Sequence, residues 1–178
     1  APDWLGQFVY GLPELHREAL REARYASGVG CNASVTILAL WPLYRRGLVE
    51  RTVVEVKVGS SEGGNKATAS SHHPERANIV RSYAPVGHRH AAEIIQELGL
   101  DPQRPELYFS VTAVDMVRGA LSTSHCFLKD DLDEKAIWGF YRQDYGAEPF
   151  VRLVRAQRGV YRFPDPKVLP GSNFCDIG

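Results

Sequence analysis

Apolar and polar positions follow several different rhythms along this chain, and each rhythm predicts an element. Within "LPELHREALREARYA" the apolar residues Leu15, Ala19, Leu20 and Ala23 recur at helical spacing among charges, behind Leu12 and Pro13. This predicts a short amphipathic helix ending near Ser27 and Gly28. From Ser34 to Tyr44 the run "SVTILALWPLY" is almost continuously apolar, which predicts a helix buried on most of its surface, with Arg45, Arg46 and Gly47 as its C-terminal signals. The β-branched stretch "RTVVEVKV" over 51–58 alternates as a strand does.

Residues 59–78, "GSSEGGNKATASSHHPERAN", have no such rhythm. A structureless loop of that length is uncommon inside a compact domain, so it is expected to be a substrate loop. "HAAEIIQELG" (90–99) predicts a short helix closed by Gly99, and "ELYFSVTAVDM" and "GALSTSHCFLK" predict two long strands paired as antiparallel neighbours across "VR". "LDEKAIWGFYRQDYG" predicts an amphipathic helix with Asp131 or Asp133 near its start and Gly146 at its end. The tail over 149–168 predicts a strand, a turn and a second short strand. This order of elements predicts one α+β domain over residues 1–178, with a mixed, mostly antiparallel sheet flanked by helices.

Charge and cysteine content narrow the classes. Lysine plus arginine equal aspartate plus glutamate at 21 each, so no global field draws the chain to nucleic acid or an anionic membrane. The longest apolar run is too short to span a bilayer, and a cytoplasmic protein is expected. Cys31, Cys126 and Cys175 are odd in number and lack metal-type spacing, so free thiols are expected rather than disulfides or a metal site. The start at "APDW" without methionine, and the end at "GSNFCDIG", suggest a portion of a longer chain.

The segment "SGVGCNAS" (27–34) has two readings. Gly28, Gly30 and Ala33 fit a dinucleotide-binding turn, but that turn needs a buried parallel strand ahead of it, and "REALREARYAS" carries charges instead of a Val/Ile run. The other reading makes Cys31 a nucleophile. It sits at the start of a strong helix, where free N–H groups and the dipole favour the thiolate, and Gly28 and Gly30 leave room for a substrate carbonyl beside oxyanion-stabilising amides. A thiol nucleophile needs a base, and "GHRHAAE" offers His88 and His90 at a helix N-terminus that lowers imidazole pKa. Two histidines at i and i+2 of an extended segment point apart, so one is expected to face the thiol. From these residues alone three readings stay open: a nucleophilic enzyme, a thiol hydrolase or acyltransferase, and an assembly domain with an inert Cys31.

The segments "GVGCNASVTILALWP", "KVGSSEGG", "YAPVGHRHAAE", "VTAVDMVRGALST" and "GSNFCDIG", in this order, resemble the N-acyl-gamma-glutamyl-phosphate reductase family. Asn32, Ala33 and "ASSHHPERAN" look like its lysine-biosynthesis branch, and Val29 departs from the proline usual in the arginine branch. The resemblance implies a glyceraldehyde-3-phosphate-dehydrogenase-like C-terminal catalytic domain that forms homo-oligomers, with NADPH held mainly by a Rossmann domain absent from this chain. It implies reduction of an acyl phosphate to a semialdehyde through a Cys31 thioester, with His88 as acid and base. Substrate contacts carried over or placed beside the phosphate are Asn32, Ser60, Ser61, Tyr83, Arg89, His90 and Arg118. The lysine branch implies a substrate on a small acidic amino-group carrier protein, which Arg76, His72 and His73 are expected to meet. The arginine branch, acting on N-acetyl-glutamyl phosphate, is the alternative.

Overall fold

The computed structural model describes residues 2–156 and 158–178. After a turn of helix, α1 (Pro2–Leu5), two short strands pair in parallel around one helix: β1 (Phe8–Tyr10), α2 (Pro13–Glu22) and β2 (Tyr25–Ser27). Helix α2 therefore stops earlier than its rhythm suggests, because pairing with β1 draws Tyr25–Ser27 into extended backbone. The Tyr25 ring packs against Phe8 and Trp4, with centroids 5.5 and 5.6 Å apart.

Helix α3 (Cys31–Tyr44) begins three residues ahead of the apolar run, with Gly30 as its N-cap. Ala33, Ile37 and Leu40 are fully enclosed, as an almost wholly apolar helix requires. It lies on a four-stranded sheet in which β3 (Val49–Val58) is one of the two inner strands. The long segment that follows is not structureless: it holds 3₁₀ turns at Ser60–Gly63 and Ala69–Ser71 and the short helix α4 (His73–Arg76). Then come β4 (Val80–Ala84), α5 (Ala91–Glu97), β5 (Leu107–Val114) and β6 (Ala120–Leu128).

The sheet order is β4-β5-β3-β6, with β3 parallel to β5 and antiparallel to β6. The expected direct pairing of β5 with β6 is thus corrected: β3 lies between them, and the 115–119 connection arches over its end. There the Gly59 N–H donates to Gly119 O at 3.0 Å, Ser60 N–H to Met116 O at 2.8 Å and Ser61 N–H to Val117 O at 2.9 Å. A Cβ on Gly59 would stand 2.9 Å from Val117 O, so only glycine fits beneath the arch. The mixed α+β architecture agrees with the sequence, while the adjacency of strands does not follow from their order.

Helix α6 (Glu134–Tyr145) is capped by Asp133, whose Oδ1 accepts from Ala136 N–H at 2.7 Å. Its Tyr145 hydroxyl donates to Leu38 O at 2.8 Å, fixing it on α3. The tail carries β7 (Val151–Leu153), but its expected second strand before residue 168 is replaced by 3₁₀ turns at Val160–Arg162 and Pro166–Val168. Pro164 and Pro166 remove donors that a ladder needs. The parallel partner of β7 is β8 (Cys175–Ile177), and Gln157, within the expected turn, lies outside the described residues.

One face of the large sheet buries Val54, Val56 and Val111 beneath α3. The opposite face stays open, with Val53 at 41%, Tyr108 at 56% and Phe127 at 46% of full exposure. No helix among the described residues is long and apolar enough to cross a membrane.

Candidate active site

Cys31 is the first residue of α3, and a cavity of about 210 Å³ opens beside it. Asn32, Ser60, Glu62, Arg76, Tyr83, His88, Arg89 and His90 share its lining. Of the expected site residues, Cys31, His88, Asn32, Ser60, Tyr83, Arg89 and His90 are therefore brought together. Ser61 and Arg118 are not: they line a larger groove of about 660 Å³ between β6 and the tail. The arch over β3 explains the separation, because Ser60 faces one side of it and Ser61 the other.

Both histidines line the cavity, and the expectation that they point apart is corrected. His90 is already helical (φ −72°, ψ −8°), so the segment turns rather than alternates, and the two rings stand 4.7 Å apart at 76°. His88 Nδ1 accepts from the His90 backbone N–H at 3.2 Å, which puts the proton of the neutral ring on Nε2, 3.4 Å from Tyr83 Oη. His90 Nε2 accepts from Arg89 Nε at 3.2 Å. Both imidazoles are held below their ordinary pKa, first by burial and, for His88, also by the charge of His90 and Arg89. The expected direction holds, but desolvation leads as its cause.

The thiol departs from expectation. The backbone amides of Cys31 and Asn32 do favour the charged form of the sulfur, as a helix N-terminus should. They are outweighed: partial burial of the thiol and the negative charge of the Glu62 carboxylate in the same cavity push it up to about 11. The sequence shows the helix N-terminus but not Glu62, which arrives from the turn after β3. Burial in turn pushes Glu62 up to about 7, opposed by Cys31 and Arg76.

Gly28 has open space beside it, as expected, but Gly30 plays a different part. A Cβ on Gly30 would lie 2.6 Å from His90 Cδ2 and Nε2 and 2.7 Å from Glu93 Oε1. The Gly30 N–H donates to Glu93 Oε2 at 2.9 Å, and the Tyr10 hydroxyl donates to the same oxygen at 2.7 Å. Gly30 thus seats α5 against the start of α3 and has no amide left for an oxyanion. The same contacts dispose of the dinucleotide reading. A short parallel strand, β2, does precede Gly28, but none of its three residues is buried, as the charged "REALREARYAS" implies, and the amide and space a pyrophosphate would use at Gly30 are taken by Glu93 and His90.

Arg76 is turned inward instead of toward a partner. Its Nη2 donates to Val58 O and Val114 O, both at 3.2 Å, while His72 and His73 stay exposed. Among the described residues, the buried side-chain polar atoms without a hydrogen-bond partner are Asn32 Oδ1, Arg76 Nε and His90 Nδ1. All three residues line this one cavity. Unpaired buried polar groups are costly, so their convergence marks a place built for a polar guest. Glu62, Glu93 and Arg76 were not among the expected site residues, although Glu62 is the one acidic residue between Gly59 and Pro74.

Comparison with known proteins adds the following. Residues 31–178 match the family model described as semialdehyde dehydrogenase, dimerisation domain. The chain is 52% identical, over 99% of its length and 51% of the relative's, to a putative LysW-L-2-aminoadipate 6-phosphate reductase of Thermomicrobium roseum. It is 49% identical, over 100% of its length and 51% of the relative's, to the LysW-L-2-aminoadipate 6-phosphate reductase of Deinococcus radiodurans. A LysW-L-2-aminoadipate/LysW-L-glutamate phosphate reductase of Sulfurisphaera tokodaii is 47% identical over 99% of the chain and 51% of the relative. The chain therefore spans about half the length of the curated relatives it matches. In fold it is similar to aspartate semialdehyde dehydrogenase from Francisella tularensis, with a TM-score of 0.70 at 14% identity, covering 96% of this chain and 60% of that one.

Proposed function

As the chain belongs to the semialdehyde dehydrogenase family, whose dimerisation-domain model it matches over residues 31–178, we propose that it is the acyl-transferring part of a reductase acting on an acyl phosphate. The substrate we assign is 2-aminoadipate 6-phosphate linked to LysW, a small acidic carrier, and the product is the semialdehyde, formed in lysine biosynthesis in the cytoplasm. The observation that carries this reading is the cavity itself, which gathers a thiol, two imidazoles, a tyrosine and unpaired polar atoms at the start of one helix.

In this account the Cys31 sulfur attacks the acyl carbon, a C–S bond forms, the C–O bond to phosphorus breaks, and phosphate leaves. Covalent capture holds the acyl group in register as a thioester. Arg76, Arg81 and Arg89 give the cavity a cationic side suited to a departing dianion, and the tautomer of His88 presents Nε2–H as an acid for oxygen. NADPH supplies hydride in such reductases. The residues of this chain do not fit its dinucleotide, since Gly30 is filled, so we assign its binding to a part of the enzyme outside this chain and ascribe no hydride step to these residues.

The open sheet face bearing Val53, Tyr108 and Phe127 fits a second copy of the chain, in keeping with a dimerisation domain. His72 and His73, exposed beside the cavity loop, remain candidates for meeting acidic residues of the carrier; Arg76 does not. A hydrolase triad is disfavoured because the orienting partner of His88 Nδ1 is a backbone amide and not a carboxylate.

The glutamyl substrate is the second reading, favoured by the doubly named Sulfurisphaera relative. The two acyl chains differ by one methylene, worth only about 1–3 kcal/mol in a pocket. The deciding experiment measures NADPH consumption by the full-length protein with LysW-linked aminoadipyl phosphate, LysW-linked glutamyl phosphate and free N-acetyl-glutamyl phosphate. Preference for the first supports the assignment, and preference for the last moves the enzyme to arginine biosynthesis.

A further inference from the structure

We propose that Glu62 is a catalytic residue of the acylation step, taking the proton of the Cys31 thiol as the sulfur attacks. This rests on the reading of Cys31 as nucleophile and adds a division of labour to it. Glu62 stands on the Ser60–Gly63 turn and lines the same cavity as Cys31, where its negative charge acts on the thiol. His88, the base that the resemblance implies, is engaged elsewhere: Nδ1 accepts the His90 amide and Nε2 faces Tyr83 Oη. The sulfur thus shares its cavity with a carboxylate, while both ring nitrogens of His88 have other neighbours.

The groups around Glu62 suit it to this work. Cys31 from α3 and Arg76 from α4 share the cavity with it, and Arg76 lowers its basicity without neutralising it, since the guanidinium is drawn to the Val58 and Val114 carbonyls. Arg81 and Tyr83 from β4, and His88, Arg89 and His90 ahead of α5, line the same cavity. Burial pushes Glu62 up to about 7, which makes it a stronger base than an ordinary glutamate yet leaves it ionised in mildly alkaline solution.

The step balances. The S–H bond breaks and its proton goes to a Glu62 Oε; the sulfur electron pair makes the C–S bond; the C–O bond to phosphorus breaks and phosphate leaves with that pair. When the semialdehyde departs, the thiolate that is set free takes the proton back from Glu62. Between turnovers the same carboxylate keeps the sulfur as a thiol, which shields it from adventitious oxidation. His88, relieved of the thiol proton, keeps its Nε2–H for substrate oxygen.

The test follows single-turnover thioester formation by the full-length protein against pH, for wild type, Glu62→Gln and Cys31→Ala. The expected wild-type profile rises along a limb centred near pH 7, in line with Glu62, and levels off above it. In Glu62→Gln the limb disappears and the rate at pH 8 falls by about 10²-fold or more. A Glu62→Gln rate at pH 8 equal to or above wild type overturns the proposal, as does retention of the limb. Thioester formation by Cys31→Ala would instead remove the underlying reading, so the two failures are distinct. Should Glu62→Gln lose its cooperative melt, the wild-type profile alone decides, a flat profile between pH 6 and 8 being the contrary result.

Discussion

Glu93 Oε2 accepts a hydrogen bond from the backbone N–H of Gly30 at 2.9 Å, so the helix that follows the two histidines is tied to the residue immediately before the cysteine. Tyr10 donates to the same oxygen, which brings the small parallel β1-β2 layer into the arrangement. Gly30→Ala is expected to destabilise the chain by about 1–3 kcal/mol, because the new methyl meets the His90 ring and the Glu93 carboxylate. Urea titration measures it. Wild-type stability in this variant would show that the two helices are not seated through Gly30.

Tyr10→Phe removes one of the two donors to that carboxylate and is expected to cost about 1.5–3 kcal/mol, the range for bonds to a charged acceptor. Combined with Glu93→Gln it should cost less than the two changes added separately, since both act on one network. A double-mutant cycle reads this coupling, and strict additivity is the contrary outcome.

The sequence made the start of α3 legible because the apolar run, the preceding glycine and the cysteine are contiguous. It made the histidine segment legible because Gly87 and the following helix frame it. Glu62 was not legible as a neighbour of Cys31, since the contact depends on how the turn after β3 folds back, and no periodicity reports that. The same reason hid the insertion of β3 between β5 and β6 and the inward turn of Arg76. Local pattern fixes elements, while strand order and cavity lining depend on long-range pairing.

The pKa of Glu62 predicts a pH-dependent stability difference. Its folded value, about 7 against an ordinary 4.5, lies above the unfolded one, so its contribution is fully present below pH 4.5 and is lost as pH rises through about 7. His88 and His90, held below their ordinary 6.5, contribute in the opposite sense: stability present above that value is lost as pH falls. Glu62→Gln removes only the first effect. Its melting temperature relative to wild type is therefore expected to rise between pH 4.5 and pH 8, and a constant difference by scanning calorimetry contradicts this.

Of the three thiols, Cys31 alone is exposed. It is expected to be alkylated first in native protein, with a rate that climbs toward pH 11 because burial and Glu62 raise its pKa. Cys175, also pushed up to about 11 by burial, and Cys126, raised by burial, should react chiefly after unfolding. Peptide mapping of iodoacetamide adducts checks both. Rapid labelling of Cys31 with a midpoint below pH 8.5 would show that Glu62 does not restrain it.

The open sheet face predicts an interface. Val53→Lys with Tyr108→Asp places charges at exposed positions that need no repacking within one chain, so fold stability of the monomer should change by less than about 0.5 kcal/mol. Sedimentation equilibrium should show dimer converted to monomer. An unchanged dimer would locate the interface elsewhere.

The most direct measurement of the central claim is mass spectrometry of the full-length protein mixed with the carrier-linked acyl phosphate and no NADPH. The expected result is one acyl adduct, labile to hydroxylamine, on the peptide containing Cys31. An adduct on Cys126 or Cys175, or none while phosphate is released, would contradict the assignment of Cys31 as the nucleophile.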